Sequence, residues 1–96
     1  MDEKERYRLK MICEREGILN DDGYHKHHCF FRSEYKKEDW DGDWNIEPVY
    51  ATKHIGGPKA IHGGNKILDN KLKTKALARY EGKYRDELEA ILRRSL

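Results

Sequence analysis

Apolar residues recur at helical spacing near the end of the chain. After Asn65 they stand every four positions, at Leu68, Leu72, Ala76 and Tyr80. This spacing places them on one face of a helix. Asn65 is a suitable N-cap and Gly82 a suitable stop. The pattern therefore predicts a helix over about 65–81, and the repeat of Tyr84, Leu88, Ile91 and Leu92 predicts a second, shorter helix over 84–94.

The first fifteen residues also show helical spacing. Tyr7 and Met11 are four residues apart, and Gly17 follows as a stop. The pattern predicts a helix over 3–15 with Tyr7 and Met11 on its apolar face.

Two stretches between these helices predict β-strands. Residues 24–31 are rich in aromatic side chains and follow the turn-forming run 20–23. Residues 45–52 predict a second strand, in which Pro48 favours a sheet edge because it cannot donate a backbone hydrogen bond. A charged loop, 34–43, joins them. The order helix, strand, strand, helix, helix predicts one small α+β domain over residues 1–96.

Composition limits the class of protein. With 96 residues and 36% hydrophobic content, the chain has room for one thin core, which a bound metal would help to stabilise. It contains no apolar run of the roughly 18 residues that span a bilayer and no signal peptide, so we expect no membrane association and a cytoplasmic location. Cys13 and Cys29 are isolated in the sequence. This excludes a cysteine-rich zinc ribbon, and the two cysteines need not form a disulfide.

Positive charge concentrates near the C-terminus. After residue 65 there are nine Lys and Arg against five Asp and Glu. Such a surface would suit a phosphate backbone, although a merely solubilising helical surface explains the charge equally well.

The candidate chemistry lies in five histidines, all between positions 25 and 62: His25, His27, His28, His54 and His62. Imidazole is a common ligand of divalent transition metals and a common general base. Because side chains alternate along a strand, His27 and His28 should face opposite sides and have different roles. Surface histidines without a shared role are the alternative.

The spacing of His27-His28, Asn45, His54 and His62 resembles the His-Asn-His (HNH) nuclease motif. The segments HHCFFRS, WNIEPVYATKHIGGPKAIHGGN and LDNKLKTKALARYEG look like small HNH proteins encoded by bacteriophages and prophages, which would place the protein in the bacterial host cytoplasm. The resemblance covers about residues 24–92. It implies a ββα-metal core, a β-hairpin plus a helix, over about 24–81, flanked by helices 3–15 and 84–94.

The resemblance also implies an activity and roles. It implies hydrolysis of phosphodiester bonds in double-stranded DNA by an endonuclease or nickase that uses one divalent ion: zinc, magnesium, manganese or nickel. His28 matches the general base, and Asn45 matches the residue that orients this base or its loop. The metal ligands would be His27, His54 and His62.

Structural alternatives to these roles remain open. His28 could fill space beside Phe30, His27 could face solvent, and Asn45 could serve ordinary turn chemistry. His54 and His62 are eight residues apart, whereas the tightest relatives space these ligands by about four, and Asn65 could share the role of His62. His25 is expected to be spare, facing solvent or phosphate.

Four cations are candidates for DNA contact. Arg32 follows the first predicted strand and could clamp a phosphate, or else form an ion pair with Glu34 or Asp39. The glycine-rich segment is bordered by Lys53, Lys59 and Lys66, which could follow the DNA backbone or simply keep the protein soluble.

The loop between the predicted strands carries aromatic and acidic side chains. Its tryptophans, Trp40 and Trp44, are expected to close the core instead of stacking on bases. The carboxylates of 38–43 would repel DNA, so we expect this loop to project away from it or to bind metal.

Two other functions compete with the nuclease. One is a catalytically inactive HNH-fold module that binds nucleic acid or protein, and the other is a helical interaction protein with incidental histidines. Metal-dependent cleavage would distinguish the nuclease from the first, and stoichiometric metal binding would distinguish it from the second.

Overall fold

The computed structural model describes residues 2–54, 61 and 64–95, apart from the side chains of Thr52 and Lys53. Within them the structure is α+β, as predicted, and no helix is long and apolar enough to cross a membrane. The elements in chain order are α1 (Glu3–Arg15), β1 (Tyr24–His28), a 3-10 turn (Asp43–Asn45), β2 (Ile46–Tyr50), α2 (Ala51–His54), α3 (Lys66–Arg79) and α4 (Arg85–Ser95).

The two strands form an antiparallel hairpin in which Tyr24 lies opposite Tyr50 and His28 opposite Ile46. Both strands are shorter than predicted. β1 ends at His28 because the chain soon turns: the backbone N–H of Phe31 donates to the Glu34 carboxylate. β2 ends at Tyr50 because the next residues form α2. Each described strand pairs on one side only, which agrees with the edge position predicted from Pro48.

The two C-terminal helices follow their predicted pattern. The side chain of Asn65 caps α3 by accepting a hydrogen bond from the backbone of Leu68 at 3.1 Å. The stripe on α3 is buried at Leu72, Ala76 and Tyr80. α3 ends at Arg79, because the backbone at Tyr80 is extended. The stripe packs with α4 and the hairpin loop in one core, whose buried members are Cys29, Phe30, Tyr35, Val49, Ile61, Leu72, Ala76, Tyr80, Leu88 and Ile91.

The bounds predicted for α1 are confirmed, but the prediction of its apolar face was wrong. Tyr7 and Met11 are 65% and 44% exposed. The buried face consists instead of Leu9, Ile12 and Cys13, which are spaced by three and four residues and so share a face of the helix. Both cysteines are buried and form no disulfide, as expected.

A network of charges joins α1, β2 and α3. The Nζ of Lys75 lies 2.8 Å from Glu16 and 2.6 Å from Glu47, and Arg79 lies 3.1 Å from Glu47. Burial alone would raise the pKa of Glu16, but hydrogen bonds with Lys75, Glu47 and Arg15 outweigh it and lower this pKa to about 2. Burial, together with the nearby Glu16, raises the pKa of Glu47. The network therefore stabilises the ionised form of Glu16 in the folded chain.

This network predicts that the contribution of Glu16 to stability depends on pH. The pKa of Glu16 in the folded chain lies below its ordinary value of 4.5, so its stabilisation is complete above about pH 4.5 and is lost as pH falls towards 2. We expect Glu16→Gln to lower the free energy of unfolding by on the order of 1 kcal/mol or more at pH 7, and by much less at pH 3. Urea titrations at both pH values measure this difference.

The matched control is Glu14→Gln, because Glu14 lies in the last turn of α1, two residues before Glu16, and is exposed. It should change the unfolding free energy by less than about 0.5 kcal/mol at either pH. An equal loss for Glu16→Gln at pH 7 and pH 3 would contradict the electrostatic role of Glu16.

Candidate active site

The pleat of β1 gives His27 and His28 different surroundings, as the alternation predicts. His27 is buried, and its ring lies edge-on to the rings of Phe31 and His54, with centroid distances of 5.9 and 5.1 Å. His28 is half-buried and stacks on Trp40, with ring centroids 4.0 Å apart and planes 9° apart. One histidine thus faces other histidines, and its neighbour faces the loop.

His54, the last residue of α2, lies beside two histidines of β1. Its Nδ1 is 3.1 Å from the Nδ1 of His25, and its ring is 5.1 Å from that of His27. Since His25 and His27 are two positions apart on a strand, their side chains share one face of the hairpin. His25 was expected to be spare and to face solvent or phosphate, but it lies beside His54 and belongs to the same cluster.

This cluster brings together two of the residues that were predicted to bind a metal. Two predicted ligands, His27 and His54, are adjacent, and their imidazole nitrogens are donors that suit zinc and nickel. Among the described residues, no three His, Cys, Asp or Glu side chains are arranged to hold an ion. The third predicted ligand, His62, lies outside the described residues. The described side chains thus fit a metal by type, but by themselves they do not complete a ligand set.

Asn45 is buried within the turn that precedes β2. Its Oδ1 accepts a hydrogen bond from the backbone of Phe30 at 2.8 Å, and its Nδ2 donates to the carbonyls of Phe30 at 3.1 Å and Trp40 at 2.9 Å. The backbone N–H of Cys29 donates to the Asn45 carbonyl at 2.7 Å. Asn45 therefore ties the start of the loop that follows His28 to Trp40 in the same loop.

The other contact of His28 is with the acidic loop. Its Nε2 lies 2.7 Å from Oδ1 of Asp41, whose other oxygen lies 3.2 Å from Nη1 of Arg8 in α1. The hydrogen bond with His28, opposed by burial and supported by Arg8, lowers the pKa of Asp41. Asp41 is thus a carboxylate held between an imidazole and a guanidinium.

The other carboxylates of this loop also have partners within the chain. Asp39 accepts hydrogen bonds from the hydroxyls of Tyr35 at 2.5 Å and Tyr80 at 2.6 Å. Glu38 accepts from the hydroxyl of Tyr84, and Asp43 accepts from Arg8. The loop is tied to the core and to α1, so its charges are partly neutralised inside the molecule.

An open cleft of about 450 Å³ lies beside the histidines. Its lining among the described residues contains no Asp or Glu and consists of Lys26, His27, His28, Phe31, Arg32, Ser33, Trp40 and His54. Arg32 donates to the Lys37 carbonyl at 3.1 Å, and its guanidinium lies 5.4 Å from the Trp40 ring centroid. These contacts involve neither of the acids proposed as its ion-pair partners. Trp40 and Trp44 pack against the core, as expected.

The remaining candidate DNA contacts are only partly described. Lys66 is exposed at the start of α3, whereas Lys59 and the side chain of Lys53 lie outside the described residues. Not all of the Lys and Arg residues in the C-terminal third are available to contact phosphates. Among the described residues, these cations form ion pairs with carboxylates of the chain: Lys73, Lys75, Arg79 and Lys83.

No family model, curated protein or solved structure matches this chain. The HNH resemblance therefore rests on the motif residues themselves. Sequence reasoning did not find the roles of Asp41 and Arg8 beside His28. The sequence did contain one signal: a loop with so many carboxylates would repel phosphate unless the chain supplied partners for them.

The geometry of Asn45 predicts a large effect on stability. Asn45→Ala would leave the Phe30 N–H and the Trp40 carbonyl buried without this partner. Buried polar groups that lose a hydrogen bond cost about 1–3 kcal/mol each, so we expect the unfolding free energy to fall by about 2 kcal/mol or more. Chemical denaturation measures this loss.

Asn20→Ala is the matched control, because the Asn20 carboxamide also accepts a backbone hydrogen bond, from Asp22, but in an exposed turn. Its loss should stay below about 1 kcal/mol. Equal losses for the two variants would refute the special role of Asn45.

Proposed function

We propose that this protein is a divalent-metal-dependent DNA endonuclease or nickase, built on a ββα-metal core that begins with the β1–β2 hairpin. The observation that carries the proposal is the cleft, which joins two strand histidines and His54 with the cations Lys26 and Arg32, and which no described carboxylate lines. Phosphodiester hydrolysis needs a proton acceptor for water and positive charge near the phosphate, and this cleft offers both.

His28 is the proposed general base. Nε2–H of His28 donates a hydrogen bond to Asp41, which leaves Nδ1 of the imidazole to take a proton from water. The ring is held by its stack on Trp40, and the loop that carries Trp40 is held by Asn45. A base must be kept in place to act, so Asn45 contributes through the loop.

His27 and His54, together with His62, would hold the divalent ion. When bound, the ion would supply positive charge to the phosphate and to the departing oxygen. Arg32 in the cleft and Lys66 on α3, with Lys53 and Lys59, are the proposed contacts to double-stranded DNA. Contacts of this kind go mainly to phosphates and depend little on base sequence.

The proposal predicts that cleavage requires both His28 and a divalent ion. His28→Phe keeps an aromatic ring for the Trp40 stack but removes the proton acceptor. We expect it to lower the cleavage rate of supercoiled plasmid by about 100-fold or more, the usual contribution of a positioned general base. Chelator should abolish cleavage by the unaltered protein, and zinc, magnesium, manganese or nickel should restore it.

The matched control is Trp40→Phe, which keeps His28 and weakens the stack, and which should retain more activity than His28→Phe. Thermal melting shows whether each variant is folded. If the folded, unaltered protein cleaves no DNA with any of the four metals, or if His28→Phe cleaves as fast as the unaltered protein, the nuclease proposal is rejected.

A further inference from the structure

We propose that Asp41 is the positioning residue of His28, and that Arg8 of α1 holds Asp41 for this purpose. Its consequence for catalysis rests on the proposed nuclease function, whereas the positioning itself does not. Neither residue belongs to the His-Asn-His motif that suggested the nuclease, so the N-terminal helix becomes part of the active site.

Two contacts of different kinds define the orientation of the His28 ring. Stacking on Trp40 at 4.0 Å and 9° fixes the plane of the ring, but the ring could still turn over about its Cβ–Cγ bond and keep the same plane. The hydrogen bond of Nε2 with Asp41 at 2.7 Å removes this freedom, because turning the ring over would move Nε2 away from the carboxylate. A carboxylate can only accept a hydrogen bond from an imidazole, so this contact also selects the Nε2–H tautomer.

Arg8 divides the two oxygens of Asp41. Nη1 of Arg8 donates to Oδ2 of Asp41 at 3.2 Å, and Oδ1 of Asp41 is left to accept the hydrogen bond from His28. Arg8 also donates from Nη2 to the backbone carbonyl of Asp41 and from Nε to Asp43 at 2.7 Å. The planar guanidinium thus holds both the side chain and the backbone of Asp41, which is otherwise a 60% exposed carboxylate that would rotate freely.

These contacts contribute mainly to orientation. Exposed ion pairs usually add little to folding stability, so removal of Asp41 should leave the fold intact. The loss should appear in the geometry of His28. Removal of the outer-shell partners of metal-binding histidines typically costs about 10-fold to 100-fold in metal affinity or activity, and we expect an effect at the lower end of this range for His28.

The experiment compares Asp41→Ala with Asp43→Ala. Both carboxylates are exposed and both accept a hydrogen bond from Arg8, but only Asp41 contacts His28. We expect Asp41→Ala to lower kcat for duplex cleavage by about 10-fold with little change in KM, and Asp43→Ala to lower it by less than about 2-fold. Asp41→Asn should recover part of the rate, because its amide oxygen can still accept the hydrogen bond.

A second measurement does not depend on activity. The nitrogen chemical shifts of His28, recorded where the imidazole is neutral, should show the Nε2–H tautomer in the unaltered protein and in Asp43→Ala. In Asp41→Ala they should show a mixture of tautomers. If Asp41→Ala keeps the Nε2–H tautomer to the same extent as Asp43→Ala, the positioning role is overturned. If the unaltered protein cleaves no DNA but the tautomer shifts as expected, the nuclease proposal fails and the positioning role stands.

Discussion

The buried carboxamide of Asn45 is the interaction on which the candidate site depends. Its oxygen accepts a hydrogen bond from the backbone N–H of Phe30, and its nitrogen donates one to the backbone carbonyl of Trp40, ten residues further along the chain. Phe30 lies just after the strand that carries His28, and Trp40 carries the ring on which His28 stacks. A single buried side chain thus ties the backbone that follows His28 to the residue on which His28 stacks, and an apolar side chain could not do so because the loop carbonyl would lose its partner.

The electrostatics of the site follow from the same loop. A dense run of carboxylates would oppose the binding of phosphate if it faced the cleft. In the structure Asp39 is held by the hydroxyls of Tyr35 and Tyr80, and Asp41 is held by His28 and Arg8. The carboxylates of the loop therefore bind core tyrosines and His28, while Arg32 remains exposed in the cleft.

Features set by neighbouring residues were predictable from the sequence. The bounds of α1, the Asn65 cap and stripe of α3, and the different surroundings of His27 and His28 follow from local spacing. The contact of Asp41 with His28 joins residues 13 positions apart, and that with Arg8 joins residues 33 apart. No periodicity specifies such contacts, because they depend on how the loop folds back. The roles of His28, Asn45 and the metal ligands remain predictions.

The most direct test of a DNA-cleaving cleft is to map where DNA binds. Backbone and histidine NMR signals should be followed as a nuclease-resistant phosphorothioate duplex is added to the full chain. We predict that the largest changes fall on the cleft residues His28, Arg32 and Ser33, and that they weaken as salt increases, because binding to phosphates releases counterions. Changes confined to the exposed face of α1 around Tyr7 and Met11, or no changes with DNA, would contradict it.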